Sequence, residues 1–105
     1  MAWVFLTVAG LFEVFWAVAL KLSEGFSKPF PSILTVIGMI ISFYFLSLAT
    51  KTLPLGTSYA IWTGIGSAGA IILGILLFHE PFGLSRMVFL SLILVGILGL
   101  KLTAG

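Results

Sequence analysis

The chain has no cysteine. Disulfides and thiolate metal sites are therefore excluded, and the redox compartment cannot be read from it. Charge is almost as scarce. Only 8% of the 105 residues are charged, where a soluble domain carries about a quarter. The five Lys and Arg are scattered against three Asp and Glu, so no basic stripe offers itself to nucleic acid. There is no candidate nucleophile–base pair, no metal-ligand cluster and no phosphate-binding loop, so neither an enzyme nor a cofactor or metal is expected. What the chain does have is apolar bulk: 61% hydrophobic residues and a mean hydropathy of +1.32. Such a chain cannot cover itself with polar surface, and its solvent is the lipid bilayer. Hydropathy divides it into a single all-α domain over residues 1–105, with four membrane spans at about 2–22, 31–50, 56–78 and 84–102.

The first span carries one anomaly. Glu13 sits in an otherwise uncharged run from Met1 to Leu20. About eleven residues into a helix at ~1.5 Å per residue is roughly 16 Å deep, near the middle of a ~30 Å hydrocarbon core. An ionised carboxylate at that depth costs on the order of 2.5–3.5 kcal/mol. A group that costly points to a proton or cation site, with a protonated helix-packing glutamate as the structural alternative. The absence of Lys or Arg before the apolar run, and Glu13 within it, argue against a signal peptide. Leu6, Ala9, Gly10, Glu13, Trp16, Ala17 and Leu20 recur at helical spacing and share a face.

The other spans add polar and small residues in register. Span two has one weakly polar stripe, Thr35, Gly38, Ser42 and Ala49. Ser42, near mid-depth, either donates to a carboxylate on a neighbouring helix or bonds its own i−4 carbonyl. In span three, Gly56, Ala60, Gly64 and Ala68 form one small-residue row, and Gly66, Ala70 and Gly74 a second. Such rows let helix backbones approach closely in lipid. The Gly64-Ile65-Gly66 cluster also weakens the helix and is a candidate hinge. Tyr59, Trp62, Thr63 and Gly66 share a face beside the seam. His79-Glu80 reads as a solvated loop pair beside Pro81. Span four is nearly pure Leu, Ile, Val and Phe, which suits dimer contact. Lys101 in its last turn can snorkel to the headgroups.

An even number of spans puts both termini on one side. Lys21, Lys28 and Arg86 then lie on one side of the membrane, Lys51 and Lys101 on the other. That near balance leaves orientation almost unspecified. Copies inserted in opposite senses could pair as an antiparallel dual-topology homodimer, the arrangement other transporters build from an internal inverted repeat. The two Glu13 side chains would then flank one midplane site.

Two stretches carry a resemblance. Gly10-x-x-Glu13-Val14-x-Trp16-Ala17-x-Ala19-Leu20-Lys21-x-Ser23-x-Gly25-Phe26, and Leu53-Pro54-x-Gly56-Thr57-x-Tyr59-Ala60-Ile61-Trp62-Thr63-Gly64-Ile65-Gly66, resemble the small multidrug resistance (SMR) family. Trp16 after the central acid and the Trp-Thr-Gly-Ile-Gly run are similar to its guanidinium-exporter subtype. The resemblance implies a proton-coupled antiporter in a bacterial inner membrane, working as an antiparallel homodimer. It implies that Glu13 binds proton or substrate within a hydrogen-bond network of Ser42, Tyr59 and Trp62. Trp16 would cap the site, Gly10 and Thr63 would line it, Gly64 and Gly66 would bend span three, and Lys101 is a subtype feature without an assigned role.

The chemistry is consistent with that expectation. A single carboxylate can hold a proton or a cation, not both. Guanidinium is planar and presents parallel N–H groups that match a carboxylate bidentately. The rings of Trp16, Tyr59 and Trp62 can add cation–π contact of about 0.5–2 kcal/mol. A bulky indole narrows the pocket against large aromatic drugs. Export of quaternary ammonium or other bulky cations is the alternative within the same chemistry. A non-transporting membrane partner, such as half of a heterodimer, is the alternative outside it, and the balanced charge argues against a subunit of fixed orientation.

Overall fold

The computed structural model describes residues 1–103. Four helices follow one another: α1 (Ala2–Leu22), α2 (Pro29–Ala49), α3 (Leu55–Phe78) and α4 (Leu84–Thr103). The shortest has 20 residues, about 30 Å at ~1.5 Å per residue, so each is long and apolar enough to cross a bilayer. Helix α2 starts at Pro29 rather than at residue 31. Lys28 before it is extended, and a proline at the first helical position loses no hydrogen bond the helix would have made. Helix α3 likewise starts directly after Pro54.

The helices form a flat slab, 43 × 35 × 16 Å. Helix α1 is its centre, packed against α2 on one side and α3 on the other. Helix α4 leans mainly on α3. Burial follows from this. Leu6, Ala9, Gly10, Val14 and Ala19 are buried on α1, whereas only Leu90 is buried on α4. The buried arc of α1 departs from the expected single face. It takes in Val14 and Ala19 because the helix is flanked on two sides, and it leaves Leu20 exposed. On α2 the buried residues are Thr35, Gly38, Ser42 and Ala49, the stripe expected from spacing.

A cluster of buried apolar residues lies in the half of the slab that holds the N-terminus. Leu6, Ala9, Ala49, Ile61 and Trp62 make the core there, with Trp3, Phe5 and Phe45 packed around them. Lys101 reaches back to this end. Its Nζ stands 5.6 Å from the centre of the Trp3 ring, so the lysine is engaged by an aromatic face within the chain.

Glycines set the seams. A methyl at Gly10 would strike the Ile65 side chain, one at Gly38 would strike Phe15 and Trp16, and one at Gly64 would strike Ile97. Gly69 faces Val14 in the same way. In lipid, helices associate through such close approach rather than through hydrophobic collapse. Gly69→Ala is therefore expected to destabilise the protein by about 1–3 kcal/mol. Gly56→Ala, which meets nothing within 4 Å, should cause no loss. Helicity followed through an SDS titration in mixed micelles measures both.

Candidate functional site

The mid-membrane carboxylate lies between α1 and α3. Glu13 is the twelfth residue of the 21-residue α1, and its side chain crosses the backbone of α3 at Gly66. A Cβ on Gly66 would collide with the carboxylate itself, at Oε1 and Cδ. Gly66 is thus the seat of the acid. The helix runs unbroken through Gly64 and Gly66, and each glycine accepts a neighbour: the carboxylate at Gly66, Ile97 of α4 at Gly64.

Beside the acid runs a short hydrogen-bond chain. The Trp62 indole Nε1–H donates to Ser42 Oγ at 2.9 Å, and Ser42 Oγ–H donates to the backbone carbonyl of Ala9 at 2.7 Å. Ser42 and Trp62 are both buried. The serine therefore bonds neither its own i−4 carbonyl nor the carboxylate. It ties α3 to α1 through α2. Tyr59 joins by its ring, 5.4 Å from that of Trp62, while the residue is 56% exposed. The Phe43 ring lies tilted against Trp62, its centre 5.6 Å away.

Four further side-chain atoms are buried and polar yet unpartnered among the described residues: Glu13 Oε1, the Trp16 indole nitrogen, Thr63 Oγ1 and Ser58 Oγ. Such atoms are rare, because each leaves a desolvation cost of about 1–3 kcal/mol uncompensated. Glu13, Trp16 and Thr63 are residues already marked out in the sequence, whereas Ser58 is not. A carboxylate oxygen that accepts no hydrogen bond is an acceptor open to a proton or an N–H cation.

The profile of the family described as Small Multidrug Resistance protein matches residues 1–93. The chain belongs to this family. Among similar small multidrug resistance proteins, a guanidinium exporter of Salmonella typhi is 57% identical over 99% of both chains. A guanidinium exporter of Yersinia pestis is 54% identical over 99% of this chain and all of its own. One from Klebsiella oxytoca is 52% identical over 98% of each. This small multidrug resistance protein is accordingly a multi-pass membrane protein, and its relatives are exporters rather than enzymes.

Geometry adds what sequence spacing missed in this family member. The Ala9 carbonyl has no side-chain signal, and neither does the choice of Gly38 as the socket for the Trp16 Cβ. Phe43 looks like any lipid-facing residue until it is seen against Trp62. The loop pair also differs from expectation: Glu80 is half-buried, and its carboxylate folds back onto Gly74 of α3.

The Ser42–Trp62 bond makes a quantitative prediction. In a double-mutant cycle of Ser42→Ala and Trp62→Phe, the coupling energy in unfolding should be about 0.5–1.5 kcal/mol. A coupling of zero would mean that the bond is not made.

Proposed function

We propose that this protein is a proton-coupled antiporter that exports guanidinium and small substituted guanidinium cations by alternating access. The observation that carries the reading is the Glu13 carboxylate, seated on Gly66 at mid-span with Oε1 unpartnered. The relatives named guanidinium exporters, matching end to end at more than half identity, support the substrate class.

In this reading the carboxylate binds either a proton or guanidinium. Guanidinium offers two parallel N–H groups to the two oxygens, while a proton neutralises one of them and leaves nothing for the cation to pair with. Competition for one acceptor converts a proton gradient into cation export. The Trp62–Ser42 chain holds the walls of the site, and Gly10 and Thr63 line it. Trp16, its Cβ packed on Gly38, fills the space beside the acid and favours a small planar cation. Gly64 and Gly66 supply the bend by which α3 passes between access states.

The working unit is an antiparallel homodimer in a bacterial inner membrane, with α4 as its contact helix. The exposure of α4 supports this, as does the near balance of cations across the bilayer. The chain has no native cysteine, which makes orientation directly measurable. With Ser27→Cys as the sole thiol, about half of the molecules in whole cells should react with an impermeant maleimide from outside. Labelling of all or none would exclude dual topology.

Transport is tested in proteoliposomes with an acidic lumen. Guanidinium uptake is expected for the wild type and should vanish in Glu13→Gln, which keeps the shape but can exchange no proton. Wild-type transport of a bulky aromatic cation without transport of guanidinium would assign the protein to quaternary ammonium export instead. Movement of neither cation would favour a non-transporting partner.

A further inference from the structure

Helices α1 and α3 share a groove that continues past Glu13. On α1, Glu13, Ala17 and Lys21 follow at intervals of four. On α3, Gly66, Ala70 and Gly74 do the same. The two rows oppose each other. Glu13 lies on Gly66, and a cavity of about 230 Å³ at the outer end is lined by Ala17, Lys21, Ala70, Gly74, Phe78 and Glu80. From Gly66 to Gly74 is about 12 Å along the helix at ~1.5 Å per residue.

The outer end repeats the inner one. A Cβ at Gly74 would collide with the Glu80 carboxylate, as one at Gly66 would with that of Glu13. The turn after α3 is built to bring it there. His79 takes a left-handed conformation with φ 55°, and the backbone N–H groups of His79 and Glu80 both reach the Gly74 carbonyl. This folds the chain back, so that a residue beyond the helix lays its acid along the groove. Across the cavity, the Lys21 ammonium stands 5.3 Å from the centre of the Phe78 ring. Lys21 and Glu80 form no ion pair among the described residues, although they line the same space.

A carboxylate and an aromatic face around a cavity of this size are the components of an organic-cation site. One cation already uses the ring, and it is tethered to the protein. We propose that Glu80, Phe78 and Gly74 form a second, peripheral site for a guanidinium-type cation at the mouth of the α1–α3 groove, with Lys21 as its built-in competitor. An incoming cation displaces the lysine from the ring and is held one groove-length from Glu13. The choice of guanidinium rests on the function proposed above; the site itself rests on the geometry.

The test uses full-length protein in nanodiscs carrying Glu13→Gln, so that only the peripheral site can respond. Guanidinium chloride replaces sodium chloride at constant ionic strength, and the amide NMR signals of Gly74 and Glu80 are followed. Saturable shifts are expected. Lys21→Met should lower the half-saturating concentration about threefold or more, the gain from freeing one cation–π contact. Gly74→Ala changes no charge but evicts the carboxylate, and should raise it by a similar factor. Glu80→Gln should abolish saturation. Arg86→Gln, which removes a cation from the same membrane side but outside the cavity, should leave it in place. Shifts that do not saturate, or that ignore Gly74→Ala and Lys21→Met, would overturn the proposal. A failure of guanidinium transport in the wild type would leave this titration unaffected, so the two readings fail separately.

Discussion

Helix backbones in this protein meet where a side chain is missing. Gly10 receives Ile65, Gly38 receives Phe15 and Trp16, Gly69 receives Val14, and Gly64 receives Ile97. Lipid tails are as apolar as leucine, so burying a leucine between helices gains little over leaving it in the bilayer. What holds the slab together is contact area gained at short interaxial distance, and glycine is what permits that distance. The site depends on the same constraint. A carboxylate can lie across α3 at mid-depth only because position 66 has no side chain to occupy the space.

Polar groups then do what apolar ones cannot, which is to fix register. The chain from Trp62 to Ser42 to the Ala9 carbonyl joins three helices at one level. A slip of one residue in any of them breaks a buried bond, at a cost of about 1–3 kcal/mol for each group left unpaired. Helix α4 has no comparable tie. It packs on α3 and meets α1 through the Lys101–Trp3 contact, and most of its residues are exposed. The site-bearing helices therefore form one unit and α4 a flank.

Much of this was legible in the sequence. Four spans follow from hydropathy alone, and Glu13 stands out because an acid at that depth is costly. The stripe Thr35, Gly38, Ser42 and Ala49 was readable because helical spacing and small size coincide there, and these are the buried residues of α2. Spacing could not tell which neighbour each small residue receives. Gly66 reads in sequence as a close-packing residue and a candidate hinge, with no sign that the neighbour it receives is the Glu13 carboxylate. Ser42 offers one hydroxyl to several possible acceptors, and its actual acceptor is a main-chain carbonyl with no residue-type signature. Glu80 reads as a solvated loop residue because its return to Gly74 depends on the left-handed turn at His79, an uncommon conformation for a non-glycine residue.

A hydroxyl carries a single proton. Ser42 spends its own on the Ala9 carbonyl while its lone pair receives the Trp62 indole. Any anion that recruits that proton must take it from the backbone of α1, one turn before Glu13. The serine's proton thus fastens α2 to α1 while its oxygen fastens α3 to α2, so one small side chain closes two joints.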